Sequence, residues 1–196
     1  MKPALVILAA GASTRLGECK ALARIGERCV LERLRDEGAC FDARAPLVVT
    51  GADHVGISAA NITGVELVWN EGWSRGRTSS AQLATTKRPA LDLCFAPVDV
   101  PLVPRSVFER LLWAWIEAGS PARGWLAPRC AQRFGHPIVI GRALLEELAD
   151  FGPDRPLSAL RASASALFSV DVESPAVLDD LDTQDDLARL RSGTST

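Results

Sequence analysis

The sequence is poor in the residues that build metal and redox centres. It has only two histidines, His54 and His136, and its five cysteines (Cys19, Cys29, Cys40, Cys94 and Cys130) form no CxxC pair. A His-rich metal site, a zinc ribbon and a thioredoxin-type redox site are therefore excluded. The cysteines are expected as free thiols in a reducing compartment. Long hydrophobic runs are missing as well. The seven apolar residues from Ala4 to Ala10 stop at Gly11, too few for a membrane span of about 18 residues and too quickly polar for a signal peptide. A cytoplasmic protein is expected. Neither sign of charge dominates, since 22 basic residues face 24 acidic ones, so no nucleic acid or membrane partner is expected. Lysine is scarce: only Lys2, Lys20 and Lys87 stand among those 22 cations. Arginine is the default here, which singles out the internal lysines.

What is present suits a globular α/β protein. The 196 residues are 47% hydrophobic and 23% charged, enough apolar material for one core and too much for wholesale disorder. One domain is expected over 1–191, with 192–196 a flexible tail. Apolar runs predict buried strands over 4–10, 46–50, 65–69, 91–96, 124–127, 137–140 and 166–172. Helices are predicted over 30–38, 53–60, about 80–88, 104–118, 142–149, 156–162 and 184–191. Trp113 and Trp115 are expected to pack within the fourth of these helices, 104–118. Strands alternating with helices predict a three-layer α/β fold with a mostly parallel sheet. In such sheets ligands sit beyond the carboxyl ends of strands. The loops 11–20, 51–53, 70–80 and 97–103 become candidates for one shared site.

The first of these loops carries phosphate-handling chemistry. Gly11 permits a tight turn, while Ala12, Ser13 and Gly17 keep side chains small where amides could face an anion. Arg15 offers a planar fork and Lys20 a mobile point charge. It is not a dinucleotide fingerprint, since glycine occurs only at 11 and 17, and not a Walker A loop, since Lys20 lies between Cys19 and Ala21. An ordinary strand-to-helix turn with two solvated cations would show the same spacing.

The segment LAAGASTRLGECKAL at 8–22 resembles the opening signature of the MobA-like nucleotidyltransferases, and within them is most similar to the molybdenum cofactor cytidylyltransferases. NEGWSRGRTSS (70–80), PVDVPLV (97–103), GHPIVI (135–140) and DLDTQDDL (180–187) match further family segments in the same order. The resemblance implies a Rossmann-like nucleotide-diphospho-sugar transferase fold. It also implies Mg²⁺-dependent transfer of a nucleoside monophosphate from a nucleoside triphosphate to a phosphorylated acceptor, with release of pyrophosphate.

By the same resemblance Leu8, Ala9, Ala10, Gly11, Ala12, Ser13, Arg15, Gly17, Lys20, Gly51, Ser79, Ser80 and Asp99 are expected at the nucleotide, with Arg15, Lys20 and Asp99 serving the chemistry. Asp99, between Pro97 and Pro101, is the expected metal anchor and Asp182 the second ligand. Capping roles compete with both: Asp99 for the helix after Pro104, Asp182 or Thr183 for the last helix. Ser79 and Ser80 could likewise be caps. Ala10 in place of a glycine resembles the cytidine-using branch and favours CTP. His136 matches a position near the acceptor, though a structural histidine before Pro137 is the plain alternative. Arg129 and Arg133 precede it as a solvated cationic loop or an anion reader. A molybdopterin-type acceptor, with a molybdoenzyme or maturation protein as partner, competes with sugar phosphate, alcohol phosphate or phosphonate acceptors, and with a non-catalytic nucleotide-binding protein. Two departures from the family pattern are Cys19 and Gln184, each standing where proline is usual. Cys19 beside Lys20 is expected to have a lowered thiol pKa.

Overall fold

The computed structural model describes residues 2–41, 44–152 and 155–193. The chain opens with strand β1 (Ala4–Ala9), a two-stranded hairpin of β2 (Arg24–Ile25) and β3 (Arg28–Cys29), and helix α1 (Val30–Glu37). Then follow β4 (Leu47–Thr50), α2 (His54–Ala59), β5 (Glu66–Trp69), α3 (Arg77–Lys87), β6 (Leu93–Pro97) and α4 (Arg105–Glu117). The second half comprises β7 (Gly124–Cys130), β8 (Arg133–Phe134), β9 (Ile138–Ile140), α5 (Arg142–Leu145), β10 (Ala166–Asp171) and α6 (Gln184–Gly193).

The main sheet runs β10-β7-β9-β6-β1-β4-β5, with β8 paired to β7. β1 is parallel to both β4 and β6, and β10 is parallel to β7. β9 runs antiparallel to both its neighbours. Every residue of β1 but Leu8 is buried, because both faces of the sheet are covered. Leu5, Ile7 and Ala9 enter one core layer with residues of α1, α4 and α6. Ala4 and Val6 enter the other with Ala81 and Ala84 of α3 and Leu144 and Leu145 of α5. This is the three-layer arrangement that the alternating pattern predicts.

The differences from the sequence reading have local causes. β7 continues through Pro128 to Cys130 because Pro128, which lacks a donor, only has to accept there: its carbonyl takes the Gly135 amide at 2.9 Å. The predicted helices at 142–149 and 156–162 are one short α-turn followed by 3₁₀ segments at Glu146–Asp150 and Leu157–Ser163. Such short stretches between fixed anchors tighten to i→i+3 bonding. The last helix reaches Gly193, two residues past the expected end; residues 194–196 of the expected tail lie outside the described ones. Trp115 is fully buried and its indole donates to Asp92 at 3.1 Å, but Trp113 is 71% exposed and corrects the packing expectation. It sits two positions from Trp115 and so on the opposite side of the helix. Among the described residues, no helix is long and apolar enough to cross a membrane.

Candidate active site

The chain runs from β1 outward to β4 and β5 on one side, then returns to β6 on the other, so the loops after β1 and β6 diverge at a crevice. A cavity of about 820 Å³ opens there. A smaller one of about 400 Å³, lined by Leu5, Gly38 and Pro46, lies at the amino ends of β1 and β4, away from these loops.

The first wall is the loop after β1. Ser13 takes a positive φ of 51° and Gly17 one of 78°, so the turn is made at these two positions and not at Gly11. The Ser13 carbonyl accepts the amides of Leu16 and Gly17, both at 3.1 Å, and its hydroxyl accepts the Lys20 amide at 3.2 Å. Gly11 has open space where a side chain would be and faces the cavity. Gly51 is different. A Cβ there would lie 2.3 Å from the Ala10 carbonyl oxygen and 2.7 Å from Trp73 Cβ, so glycine is what lets the second loop press against the first.

The loop's cations are paired across the molecule. Lys20 Nζ donates to Asp182 at 2.6 Å and Arg15 to the other oxygen of the same carboxylate at 2.8 Å. These bonds hold the Asp182 carboxyl below the usual range, the Lys20 bond contributing most. Asp182 is not the helix cap. Thr183 and Asp186 form a reciprocal pair instead: Asp186 Oδ2 accepts the Thr183 amide at 2.8 Å, and Thr183 Oγ1 accepts the Asp186 amide at 3.2 Å. Gln184, in the usual proline's place, donates its side-chain amide to the Leu16 carbonyl and so ties α6 to the loop.

Asp99 lies just past β6. Its carbonyl accepts the Leu181 amide at 2.7 Å, which draws the Asp180–Asp182 stretch alongside, and its carboxylate takes Arg77 at 2.9 Å. It caps no helix, because α4 begins at Arg105 with Pro104 at the cap position and no side-chain cap. Burial, with the nearby charges of Asp99 and Asp182, pushes the Asp180 carboxyl up. Like charges thus face one another at this point.

The far wall comes from β7–β9 and the 155–161 segment, with Trp125, Phe134 and Phe168 as apolar surfaces. Gly135 closes onto the Val177 carbonyl, which would sit 2.3 Å from a Cβ and accepts the His136 amide at 3.0 Å. His136 reaches the cavity with its Nδ1 buried and unpartnered. Burial lowers its pKa, so the ring is neutral at pH 7. Arg155 and Arg161 lie over the rings of Phe151 and Phe134, at 3.9 and 4.9 Å from their centroids.

Of the expected residues, Leu8, Ala10, Gly11, Ser13, Lys20, Ser80, Asp99 and His136 line the cavity. Ala12, Arg15, Gly17 and Asp182 lie off the wall, the last joined to it through Lys20. Ala9 and Gly51 are buried in the interior. Ser79 is spent on the loop itself, bonding the Gly76 carbonyl at 2.8 Å and receiving Asn70 at 2.9 Å. Asn70 also donates to Ser80 at 3.0 Å and accepts the Gly72 amide at 3.0 Å, a knot that shapes this wall. Cys19 overturns its expectation: burial, aided by the Asp53 charge, pushes its thiol up to about 11. Arg129 is held by Asp171 in a two-pronged pair at 2.6 and 2.9 Å and does not line the cavity. His54 is structural. Thr50 gives its hydroxyl proton to the Val68 carbonyl at 3.0 Å and so accepts from His54 Nδ1 at 2.8 Å. Arg77, Arg155, Arg161 and Asp180 escaped the sequence reading, because nothing in their local spacing separates them from 19 interchangeable arginines and a run of aspartates.

The MobA-like NTP transferase domain matches residues 5–168. The chain belongs to this family. It is a nucleotidyltransferase with the nucleotide-diphospho-sugar transferase fold. No curated protein matches it significantly in sequence. Among solved structures the transferase is similar to Rv0371c of Mycobacterium tuberculosis H37Rv, 26% identical over 98% of both chains with a TM-score of 0.80. That protein is also known in complex with manganese, at 24% identity over 99% of this chain and 100% of that one, TM-score 0.76. A molybdopterin-guanine dinucleotide biosynthesis protein A from Archaeoglobus fulgidus is 17% identical over 97% of this chain and 98% of its own, TM-score 0.74, a likeness of fold alone.

Proposed function

We propose that the cavity transfers CMP from CTP to a phosphorylated, molybdopterin-like acceptor, using Mg²⁺, in the cytoplasm and within the single domain 1–191. The observation that carries this reading is the sorting of charge along one cavity. Lys20 and the small-residue loop follow β1, Asp99 follows the adjacent β6, and the aromatic walls, with Arg161 over Phe134, come from the β7–β8 side of the sheet. In the proposed complex Ser13, the loop amides, Lys20 and Arg15 take the triphosphate. Ala10, which lines the cavity, resembles the cytidine-using branch of the family and so favours CTP. Arg155, Arg161 and neutral His136 orient the acceptor's phosphate, whose flat body rests on Trp125, Phe134 and Phe168; that apolar surface favours a pterin over a sugar.

Among the described residues no three His, Cys, Asp or Glu side chains are gathered to hold a metal unaided. This suits Mg²⁺, which is typically held by one or two carboxylates together with substrate phosphates. The crowded charge at Asp180 supports a cation at this point. Asp99 and Asp182 would hold it, and when bound it would neutralise charge on the phosphates. An acceptor phosphate oxygen bonds to the α-phosphorus in line with the departing oxygen. The bond to that oxygen breaks and its electron pair leaves with pyrophosphate, whose charge Lys20 and Arg15 take up. The acceptor oxygen is already anionic near neutrality, so the protein supplies position and charge rather than a base. The product would pass to a molybdoenzyme or its maturation protein.

Isothermal titration with CTP, GTP, ATP and UTP, with and without Mg²⁺, tests the reading. Selective, Mg²⁺-enhanced CTP binding is expected. Preference for another nucleotide would discard the cytidine assignment, and absence of binding would favour a protein that has lost the chemistry.

A further inference from the structure

The carboxylates assigned to the metal are each paired with cations of the chain itself. Arg77 holds Asp99 at 2.9 Å, while Lys20 and Arg15 hold the two oxygens of Asp182 at 2.6 and 2.8 Å. Asp180 stands between these two pairs without a cation of its own within ion-pair distance among the described residues. Gly76, whose φ of 111° only glycine takes readily, starts α3 so that Arg77 is its first residue. The Arg77 side chain is 82% exposed and its guanidinium is held by that one carboxylate, so it can swing away cheaply.

Resting on the function proposed above, we infer that Arg77 is a positioning residue of the reaction. Together with Lys20 and Arg15 it closes Asp99 and Asp182 to free metal, so that metal and triphosphate enter only as a pair. A dication arriving alone must displace Arg77 and then sit beside its charge. A triphosphate arriving alone must draw Lys20 and Arg15 from Asp182, which leaves Asp182 and Asp180 uncompensated beside the phosphates. Arriving together, the two exchange partners: phosphates take Lys20 and Arg15, the metal takes the carboxylates, and no carboxylate is left uncompensated. Arg77, displaced from Asp99, then faces the acceptor side of the cavity, where it joins Arg155 and Arg161 as anion-binding groups. Each closed pair lowers the apparent affinity for a single ligand by the fraction of time it is open.

The test uses Mn²⁺ alone, read by the electron spin resonance of the free ion, on the full chain at low ionic strength, where an exposed pair is least screened. The wild-type protein should bind Mn²⁺ weakly, and Arg77→Ala about fivefold more tightly, the range an exposed ion pair allows. Arg77→Lys should restore weak binding. Arg75→Ala removes a neighbouring charge that rests on neither carboxylate, and should change little. An unchanged or weaker Mn²⁺ affinity in Arg77→Ala, or equal tightening in Arg75→Ala, overturns the inference. In a second arm, with a chelator present, Asp182→Asn should bind the preferred nucleoside triphosphate more tightly than wild type; weaker binding overturns the part assigned to Lys20. Failure of every form to bind any of the four nucleotides, even with metal, strikes the function proposed above and not the Mn²⁺ result.

Discussion

Lys20 and Asp182 are 162 positions apart in the chain and 2.6 Å apart in the fold. The lysine ends the loop after the first strand, and the aspartate precedes the last helix. Their contact joins the two ends of the molecule at the mouth of the cavity. The Gln184 side chain on the Leu16 carbonyl fastens the same junction a second time. The loop of a nucleotidyltransferase is thereby braced by residues that no local reading of the loop would include.

Asp99→Asn should abolish most turnover while leaving the fold intact. The change removes a charge at the cavity wall and keeps the carbonyl that accepts Leu181. Pyrophosphate release across a Mg²⁺ titration, paired with thermal unfolding, checks this; near wild-type rates would remove Asp99 from the metal role.

Gly51→Ala should destabilise by about 1–3 kcal/mol, as overpacking does. Its new methyl would meet the Ala10 carbonyl oxygen at 2.3 Å, and backbone cannot give way as a side-chain tip can. Urea unfolding measures the loss. Because Ala10 must shift, nucleotide affinity should fall in the same variant, whereas a cost confined to packing would leave it unchanged.

Acid should weaken the Asp182 brace with a definite sign. The folded carboxyl is held below its ordinary value, chiefly by Lys20. Its contribution is therefore complete above the unfolded aspartate value near about 3.9 and is lost as pH falls through the lower folded one. The stability difference between wild type and Asp182→Asn, read from denaturant midpoints, should be constant from pH 7 to pH 5 and should shift toward the variant in more acidic solution. A difference independent of pH would show that the pair contributes nothing.

Cys19 should alkylate slowly with iodoacetamide at pH 7.5. Its thiol is pushed up to about 11 by burial and the Asp53 charge, so little thiolate is present. Mass spectrometry of the modified peptide over a pH series should show the rate still rising above pH 9; a plateau near neutrality would contradict the burial.

Thr183→Ala should cost about 1 kcal/mol, the usual value of a lost cap, and should leave metal binding intact because Asp182 enters the cap through its backbone amide alone, its carboxylate being held by Lys20 and Arg15.

What the sequence determined was the layered sheet and the membership of the site's near wall. The run from Ala4 to Ala9 is apolar at every position, and a strand with no polar face must be covered on both sides. Ser13 and Asp99 were legible because they follow such strands within a few residues, and Lys20 because it is a rare internal lysine in the loop after the first. Other features were beyond local pattern. α3 is lined by small residues, Thr78, Ser80, Ala81 and Ala84, so no strong apolar stripe marks its start at Arg77. Whether Asp182 or Thr183 capped the last helix was undecidable from spacing, since both stand at the right place. The tertiary structure settled it by bringing two cations from residues 15 and 20 to Asp182 and leaving Thr183 to Asp186. The same holds for Cys19, whose neighbour in sequence is Lys20 but whose neighbour in space is Asp53. Periodicity reports which side of an element is buried. Which charge meets which is decided by distances across the fold, because Coulomb energy depends on separation in space and not along the chain.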